Sequence, residues 1–571
     1  MVEVRQERVF AIHPKLTAKQ MAAVAKFATP EHYRAHEVLI HEGSRQHEFY
    51  VVLGGEIEIL QHRGGQEIPL ITYRRGCIVG EVATLSGEVS LVEVRAKEDS
   101  EVLAVPPENL HRIIVEDPEL SDIILRSFVL RRARLLERGE GFFRIVGSRY
   151  SQETIRIRDF FVRNGYPVTF LDLEAEEGVA ELLEQLDVSV DETPVVIARN
   201  DEVLRNPSLE QIARCVGLRV TADEMVYDVL VVGAGPAGLA AAVYAASEGL
   251  SVIVIDSVAP GGQAGRSSKI ENYLGFPTGI SGEELTRRAQ VQAQKFGARI
   301  SVPAAALKLY SSDSFHAVAV SGEENLCART VVIASGAEYR RPSIPGCRDF
   351  EGRGVYYGAT LIEAQLCQGC DVIVVGGGNA AGQAAVYLSK FARAVHVVIR
   401  ASDLTQSMSR YLIRRIEEIG NITLHCHAEI TEFTGTAHLE QVAIRASGTG
   451  ETRRYSVDHV FMMIGVDPNT SWLDGYLVTD AKGFIKTGAN LTWGELQRTG
   501  WPLRRQPFLL ETSRPGVFAA GDVRADSTKR VASAVGEGSI CVQFVHEYLG
   551  AAATCMSIDV QVARDHPTGI V

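Results

Sequence analysis

The sequence predicts a multidomain α/β protein, and three observations carry that prediction. Its 571 residues exceed what one hydrophobic core serves. Two strand–glycine–helix units, beginning at Val229 and Val372, punctuate the chain beyond its first 225 residues. Ahead of them the pattern changes twice, first short strands closed by a helix, then strands and helices in alternation. Apolar residues make up 46% and charged residues 23%, as in an ordinary globular chain. A net charge of −13 argues against nonspecific nucleic-acid binding. Nine cysteines, scattered but for one close pair, make no disulfide framework and point to a reducing, cytoplasmic setting. The opening "MVEVRQERVFAIHPKL" carries charges where a secretory signal needs an apolar core.

The elements follow in order. In residues 1–138, "FYVVLGGEIEIL" alternates around a glycine turn and "SEVLAVP" is a further strand. The stretch from "PPENLHRIIVEDPEL" to "LRRARLLERG" is helical, with prolines opening its segments and Gly139 closing it. The basic "LRRARLLERG" is expected to be the exposed face of a connecting helix. Residues 142–218 alternate: "FFRIVGS", "IRIRDFFVRNG", "VTFLDL", "GVAELLEQL", "TPVVIA", "SLEQIARCVG". "RVTADEM" links this unit to the main body. "VLVVGAGPAGLAAAVYAA" is apolar and long enough to raise a membrane reading. Its glycine–proline interruption fits a strand, a tight turn and a buried helix instead, and no membrane partner is expected.

In "DVLVVGAGPAGLAAA", Gly233, Gly235 and Gly238 have Gly-x-Gly-x-x-Gly spacing between a strand and a helix. The first glycine allows the turn, the second admits a pyrophosphate, and the third lets helix and strand pack closely. Asp256 ends the next strand, about twenty residues on, where a carboxylate bonds ribose hydroxyls. "DVIVVGGGNAAGQAAVYLS" repeats the scheme with Gly376, Gly378 and Ala381. Its second strand runs to Arg400 rather than an acid. A guanidinium there pairs with an added ribose phosphate, which favours NADPH over NADH.

Five segments, "VVGAGPAGLAAAVYAASEGLSVIVID", "GGQAGRSSKIENYLGFP", "VVIASGAEYRRPSIPG", "FMMIGVDPNTSWL" and "GVFAAGDVRADSTKRVASAVGEGS", resemble in order and spacing the landmarks of low-molecular-weight thioredoxin reductases. The resemblance covers about residues 225–555. It implies two Rossmann-like dinucleotide-binding domains, with an NAD(P)H domain (343–465) inserted into a discontinuous FAD domain (225–342 and 466–555). It further implies FAD contacts at Gly233, Gly235, Pro236, Ala237, Gly238, Asp256, Gly262, Gln263, Asn272, Gly521, Asp522 and Arg530. For the nicotinamide dinucleotide it implies Gly376, Gly378, Asn379, Ala381 and Arg400, and for the assembly a homodimer. Val531 stands where the family has glutamine, so the flavin surroundings differ.

The family's Cys-x-x-Cys opens a helix of the NAD(P)H domain and is followed by an acid. Here that place reads Gly358, Ala359, Thr360, Leu361, then Ile362. The close pair, Cys367 and Cys370, lies nine helical residues further on, about 13 Å at the usual rise. Cys370 also precedes a strand whose far end carries the phosphate loop, about 17 Å away. The pair therefore reads as a helix C-terminus and turn, with Gly369 as the cap.

Residues 142–218 resemble a thioredoxin or glutaredoxin fold through "TPVVI", the Thr-cis-Pro turn, but Ser148 and Ser151 occupy the positions of its cysteines. A hydroxyl neither ionises near neutral pH nor forms a disulfide, so a docking or spacer role is implied. Residues 1–138 resemble the β-roll cyclic-nucleotide-binding domain through "YVVLGGEIEIL" and "GEVATLSGEVSLVEVRA", with Gly80 and Glu81 as the ribose-binding pair. The phosphate-binding arginine of that family is replaced within Val89–Val92, which argues against cyclic-nucleotide binding. Arg95 is the remaining nearby cation.

The expected function is an FAD-dependent NAD(P)H oxidoreductase that passes electrons from flavin to an acceptor without an internal dithiol. No side chain is assigned as acid, base or nucleophile, and no metal set is present in the pattern. A thioredoxin-disulfide reductase using Cys367 and Cys370 is the first alternative. A flavin-based redox or nucleotide sensor is the second.

Overall fold

The computed structural model describes residues 12–565 except 45–46, 64–65, 87–89, 91, 138–142, 167, 177, 199–201, 217, 219–225, 268, 312–314 and 323–324. The expected linker "RVTADEM", Gly139, and two of the four replaced cassette positions (89 and 91) lie outside the described residues.

Near the N-terminus two four-stranded sheets face each other. One runs Thr29–Tyr33, Ser100–Val105, Phe49–Gly54, Ile78–Val79, and the other Val38–Ile40, Glu93–Ala96, Ile57–Arg63, Gln66–Tyr73. Alternation along Phe49–Gly54 explains the layering. Phe49 and Val51 pack on Leu110, Ile113 and Ile124 of the following helices, while Tyr50 and Val52 face Ile57, Ile59 and Val94 of the second sheet.

Helix Pro118–Glu137 corrects one expectation. Arg131 is not on an exposed face: its side chain is 11% accessible and its Nη1 lies 2.7 Å from Glu81 Oε1. Ser127 also donates to Glu81, which is fully buried. A buried carboxylate needs such a partner, and the helix supplies it. Glu81 is thus held by the chain's own guanidinium. Arg95 is likewise committed, donating to Glu58 at 3.0 Å and to Glu67 at 2.9 Å.

A third sheet has the order Val168–Asp172, Phe143–Gly147, Val195–Ile197, Val203–Arg205, the first pair parallel and the rest antiparallel. The last strand is not among the expected elements, because at three residues it is too short to show a period. The Thr193–Pro194 peptide bond is cis. Helix Gln152–Arg163 buries Ile157, Phe160 and Phe161 against Phe143 and Ile145.

The largest sheet has seven strands. Arg299–Ser301, Val252–Ile255, Tyr227–Val232 and Leu326–Ile333 run parallel, with an antiparallel extension through His316–Val320 and Ala306–Ser311. Val517–Ala519 returns from far along the chain to pair parallel with Leu326–Ile333. Between them lies a five-stranded parallel sheet: Val355–Tyr356, His459–Met462, Asp371–Val375, Ala394–Val398, Ile422–His425. Ala337–Tyr339 and Val466–Pro468 pair antiparallel where the chain passes between these lobes. Helix Pro236–Ser247 is apolar all round because it is enclosed by the sheet, by Gly282–Lys295 and by the long Val531–Asp565 helix. Among the described residues no helix is long and apolar enough to cross a membrane.

Candidate flavin and nicotinamide site

The first phosphate loop is shaped by its glycines. Gly233 has φ 106°, and a Cβ there would lie 2.3 Å from the Ala334 carbonyl oxygen. At Gly238 a Cβ would come within 1.8 Å of the Gly233 oxygen, so this residue serves packing rather than contact with a ligand. Gly235 is different. Its Cβ would meet nothing nearer than Gly262 Cα at 3.8 Å, which leaves a cradle at the start of helix Pro236–Ser247 where backbone N–H groups can meet phosphate.

That cradle opens into a cavity of about 680 Å³. Gly235, Pro236, Ala237, Asp256, Gly262, Gln263, Asp522 and Arg530 line it, so eight of the twelve expected flavin contacts converge on one space. Asp256 is held at the end of its strand: Oδ2 accepts from Ala234 N at 3.0 Å and Oδ1 from Val258 N at 3.1 Å and Ala259 N at 3.2 Å. Gln263 donates to the Ala337 carbonyl. Burial pushes the Asp522 carboxyl up, against the nearby Lys529 ammonium. Lys529 caps this corner, donating to the Asp522 carbonyl at 2.6 Å and to Ser527 Oγ at 2.7 Å. Val531 is also in the wall, so its difference from the family glutamine falls inside the cavity.

Four expected contacts fall elsewhere. Gly233 and Gly238 lie behind the loop, and Asn272 is exposed away from the cavity wall. Gly521 does not offer its N–H to a phosphate; it donates to Glu537 Oε2 at 2.7 Å, and Arg524 pairs with the same carboxylate at 2.5 Å. The "GD" turn is therefore braced from the long C-terminal helix.

The second loop repeats the geometry without joining the cavity. Gly376 has φ 137° and a Cβ there would lie 2.2 Å from the Met463 oxygen, while Gly378 faces open space. Asn379 accepts from Ser409 N at 2.7 Å, and Ala381 is buried. Arg400 is exposed just beyond strand Ala394–Val398, with no ion-pair partner among the described residues.

What faces the flavin-lobe cavity from the inserted lobe is the segment 356–363: Tyr356, Tyr357, Gly358, Thr360 and Glu363 line it. The helix there is Leu361–Leu366, only six residues, so the expected continuous helix from Gly358 to Cys367 is corrected. Thr360 N donates to Glu363 Oε2 at 2.9 Å, and its hydroxyl donates to the same oxygen. Thr360-x-x-Glu363 thus opens the helix with the glutamate satisfying the capping residue's N–H. Burial pushes the Glu363 carboxyl up from its ordinary value. Glu363 is not among the expected site residues, and its signal in the sequence is the Thr-x-x-Glu spacing ahead of an apolar run.

Cys367 is buried with Val372, Val374 and Phe461, and burial pushes its thiol up. Cys370 follows a left-handed Gly369 at φ 76°, its N–H donating to the Cys367 carbonyl at 3.1 Å. The eight described cysteines are free, and none lines the cavity.

Comparison with known proteins identifies the family of this fold. The family "Pyridine nucleotide-disulphide oxidoreductase" matches residues 227–538, and "Cyclic nucleotide-binding domain" matches 30–117. The thioredoxin reductase of Bacillus subtilis (strain 168) is 33% identical over 332 residues, covering 57% of this chain and 96% of the relative. That of Treponema pallidum (strain Nichols) is 33% identical over 323 residues, covering 57% and 97%. Among solved structures, Lactococcus lactis thioredoxin reductase (FR conformation) aligns with TM-score 0.51 at 25% identity, over 57% of this chain and 99% of that one. The T. acidophilum enzyme aligns with TM-score 0.51 at 28% identity, over 58% and 100%. Such a family implies FAD and NAD(P)H, and the open Gly235 cradle, with Asp256 held beside it, fits a dinucleotide. From Tyr227 to Gly538 the chain belongs to the pyridine nucleotide-disulphide oxidoreductases, and it is an enzyme of the thioredoxin-reductase type carrying a cyclic-nucleotide-binding-like domain at its N-terminal side.

Proposed function

We propose that this enzyme carries electrons from NADPH through FAD to an external acceptor, with no dithiol of its own between flavin and acceptor. The observation that carries the reading is the cavity wall at 358–363. Where the relatives' resemblance places two thiols, this chain has Gly358 and Leu361, and a capping Thr360–Glu363 pair between and beside them. Disulfide exchange needs a thiolate in contact with its oxidant. Cys367, in a dry core with its thiol held protonated, is poorly placed for that.

FAD bound at Gly235 and Asp256 would accept a hydride from the nicotinamide and pass the electrons on. The chain's own residues orient and shield it. Gly235 and the start of helix Pro236–Ser247 receive the pyrophosphate, and Asp256 the adenosine ribose. Asp522 accepts from the ribityl chain, and Gly376, Gly378 and Asn379 hold the nicotinamide dinucleotide, whose extra phosphate meets Arg400. Glu363 lies beside the cavity with Oε2 accepting from Thr360, and burial pushes its carboxyl up from the ordinary value. The proposed domain bounds are 1–138, 142–218, 225–342 with 466–555, and 343–465. We take 142–218 as a cysteine-free thioredoxin-like unit with a docking role. Its serines support this: Ser151 caps helix Gln152–Arg163 and Ser148 donates to Glu174, so both are used structurally. The buried Arg131–Glu81 pair speaks against cyclic-nucleotide binding at the N-terminal domain.

Anaerobic stopped-flow mixing with NADPH and with NADH tests the reading. Bleaching of the flavin absorbance, faster with NADPH, followed by reoxidation on adding a quinone or oxygen, is expected. A flavin that neither nucleotide reduces would sink it.

A further inference from the structure

Helix Gln152–Arg163 comes from a part of the chain that precedes the 227–538 family match, yet it forms one wall of the flavin cavity. Gln152, Ile155, Arg156, Asp159 and Arg163 line the cavity, at spacings of three, four, seven and eleven from the first, which is one face of a helix. The opposite face, with Ile157, Phe160 and Phe161, is buried in its own sheet. The polar face is therefore presented to the cavity by the folding of the unit that carries it.

The contacts at its C-terminal end reach the cofactor acid. Arg163, with a side chain 12% accessible, donates to the Ala259 carbonyl at 3.1 Å. Asn164 Nδ2 donates to the Val258 carbonyl at 3.2 Å. The N–H groups of those same two residues hold Asp256 Oδ1. Asp159 accepts from Arg266 at 2.9 Å, tying the helix to the other side of that loop. Arg156 remains exposed at the rim, and among the described residues its ion pair is with Glu153 on its own helix.

We propose that this helix is part of the FAD site, so that the cofactor is bound across two units of the chain. Arg156 supplies a cation to the adenosine diphosphate half. Arg163 and Asn164 are positioning residues that hold Asp256 for the ribose. The inference rests on reading the cavity as the flavin site. It goes further in making the 142–218 unit and the cofactor mutually dependent: each binds better when the other is in place.

The test uses the full-length chain stripped of flavin and titrated with FAD by fluorescence quenching, with ADP as a competitor. Arg156→Ala removes a charge-assisted contact and is expected to weaken both FAD and ADP about fivefold to tenfold. Arg163→Ala is expected to weaken FAD at least as much, and Arg163→Lys to recover part of the loss. The FAD-induced rise in melting temperature should shrink in Arg156→Ala while the melting temperature of the flavin-free chain stays unchanged, which a purely structural lesion would not do. If Arg163→Ala is insoluble, Arg156→Ala decides alone, since its side chain is exposed. Wild-type protein that binds no FAD overturns the flavin reading itself. Wild-type protein that binds FAD, with Arg156→Ala within twofold of it, overturns only the inference drawn from the helix.

Discussion

The two phosphate loops make an instructive pair. In each, the first glycine has positive φ and sits against a carbonyl oxygen, 2.3 Å from a built Cβ at Gly233 and 2.2 Å at Gly376. The third positions differ. Gly238 has no room for even one carbon, whereas the corresponding Ala381 carries its methyl group into the core. The residues at the strand ends differ too: Asp256 is held by three backbone N–H groups, while Arg400 stands exposed and unpaired among the described residues. The first loop is tight at both its first and its third glycine. The second is equally tight at Gly376 but has open space at Gly378 and room for a methyl group at Ala381.

Gly238→Ala should break the comparison most severely. Its Cβ would meet backbone oxygen, so destabilisation of about 3 kcal/mol and loss of bound flavin are expected, read by urea unfolding and flavin absorbance. The reciprocal Ala381→Gly should cost only about 1 kcal/mol and keep the flavin. Equal effects would mean the two loops are packed alike.

Charge comes next. Arg400→Glu should lower kcat/KM for NADPH by about tenfold to a hundredfold, a loss of roughly 1–3 kcal/mol typical of a broken charge-assisted contact, and leave NADH nearly unchanged. An equal loss with both nucleotides would place Arg400 outside phosphate recognition.

A smaller effect concerns Glu363, which joins the inserted lobe to the flavin cavity. Burial raises its carboxyl above the usual value, so the folded chain keeps this proton to higher pH than the unfolded chain does. The stability it contributes is complete below the ordinary carboxylate range and is lost as pH rises through the folded value. Glu363→Gln should therefore melt with wild type near pH 4 and about 2 °C above it at pH 8, followed by calorimetry. A variant that melts lower at pH 8 would show a carboxylate stabilised in its ionised form.

The smallest change is expected from Cys367→Ala with Cys370→Ser. Turnover with a quinone and with thioredoxin should stay within about twofold of wild type, inside the scatter expected where no transition-state contact is lost. A collapse confined to thioredoxin would restore the disulfide-reductase alternative.

Much of the flavin loop was legible in sequence, because a dinucleotide turn writes its sterics directly into glycine spacing and its ribose contact into one acid. Asn272 and Gly521 were less legible. One is exposed outside the cavity wall, and the other spends its N–H on Glu537, sixteen residues away, a partner that no local pattern names. Arg131 failed for the same reason: a basic run reads as solvent-facing until a buried Glu81 is found opposite it.

By itself the sequence determined the two glycine turns, the strand alternation that layers the N-terminal sheets, and the absence of thiols at Gly358 and Leu361. These are properties of neighbours along the chain, set by φ, by side-chain period and by residue chemistry. Only the tertiary structure decided that helix Gln152–Arg163 walls the flavin cavity, that Glu363 faces the same space, and that Cys367 is sealed in a core. Each of these depends on contacts between residues about a hundred or more positions apart, or between separate layers, and no local period records such a meeting.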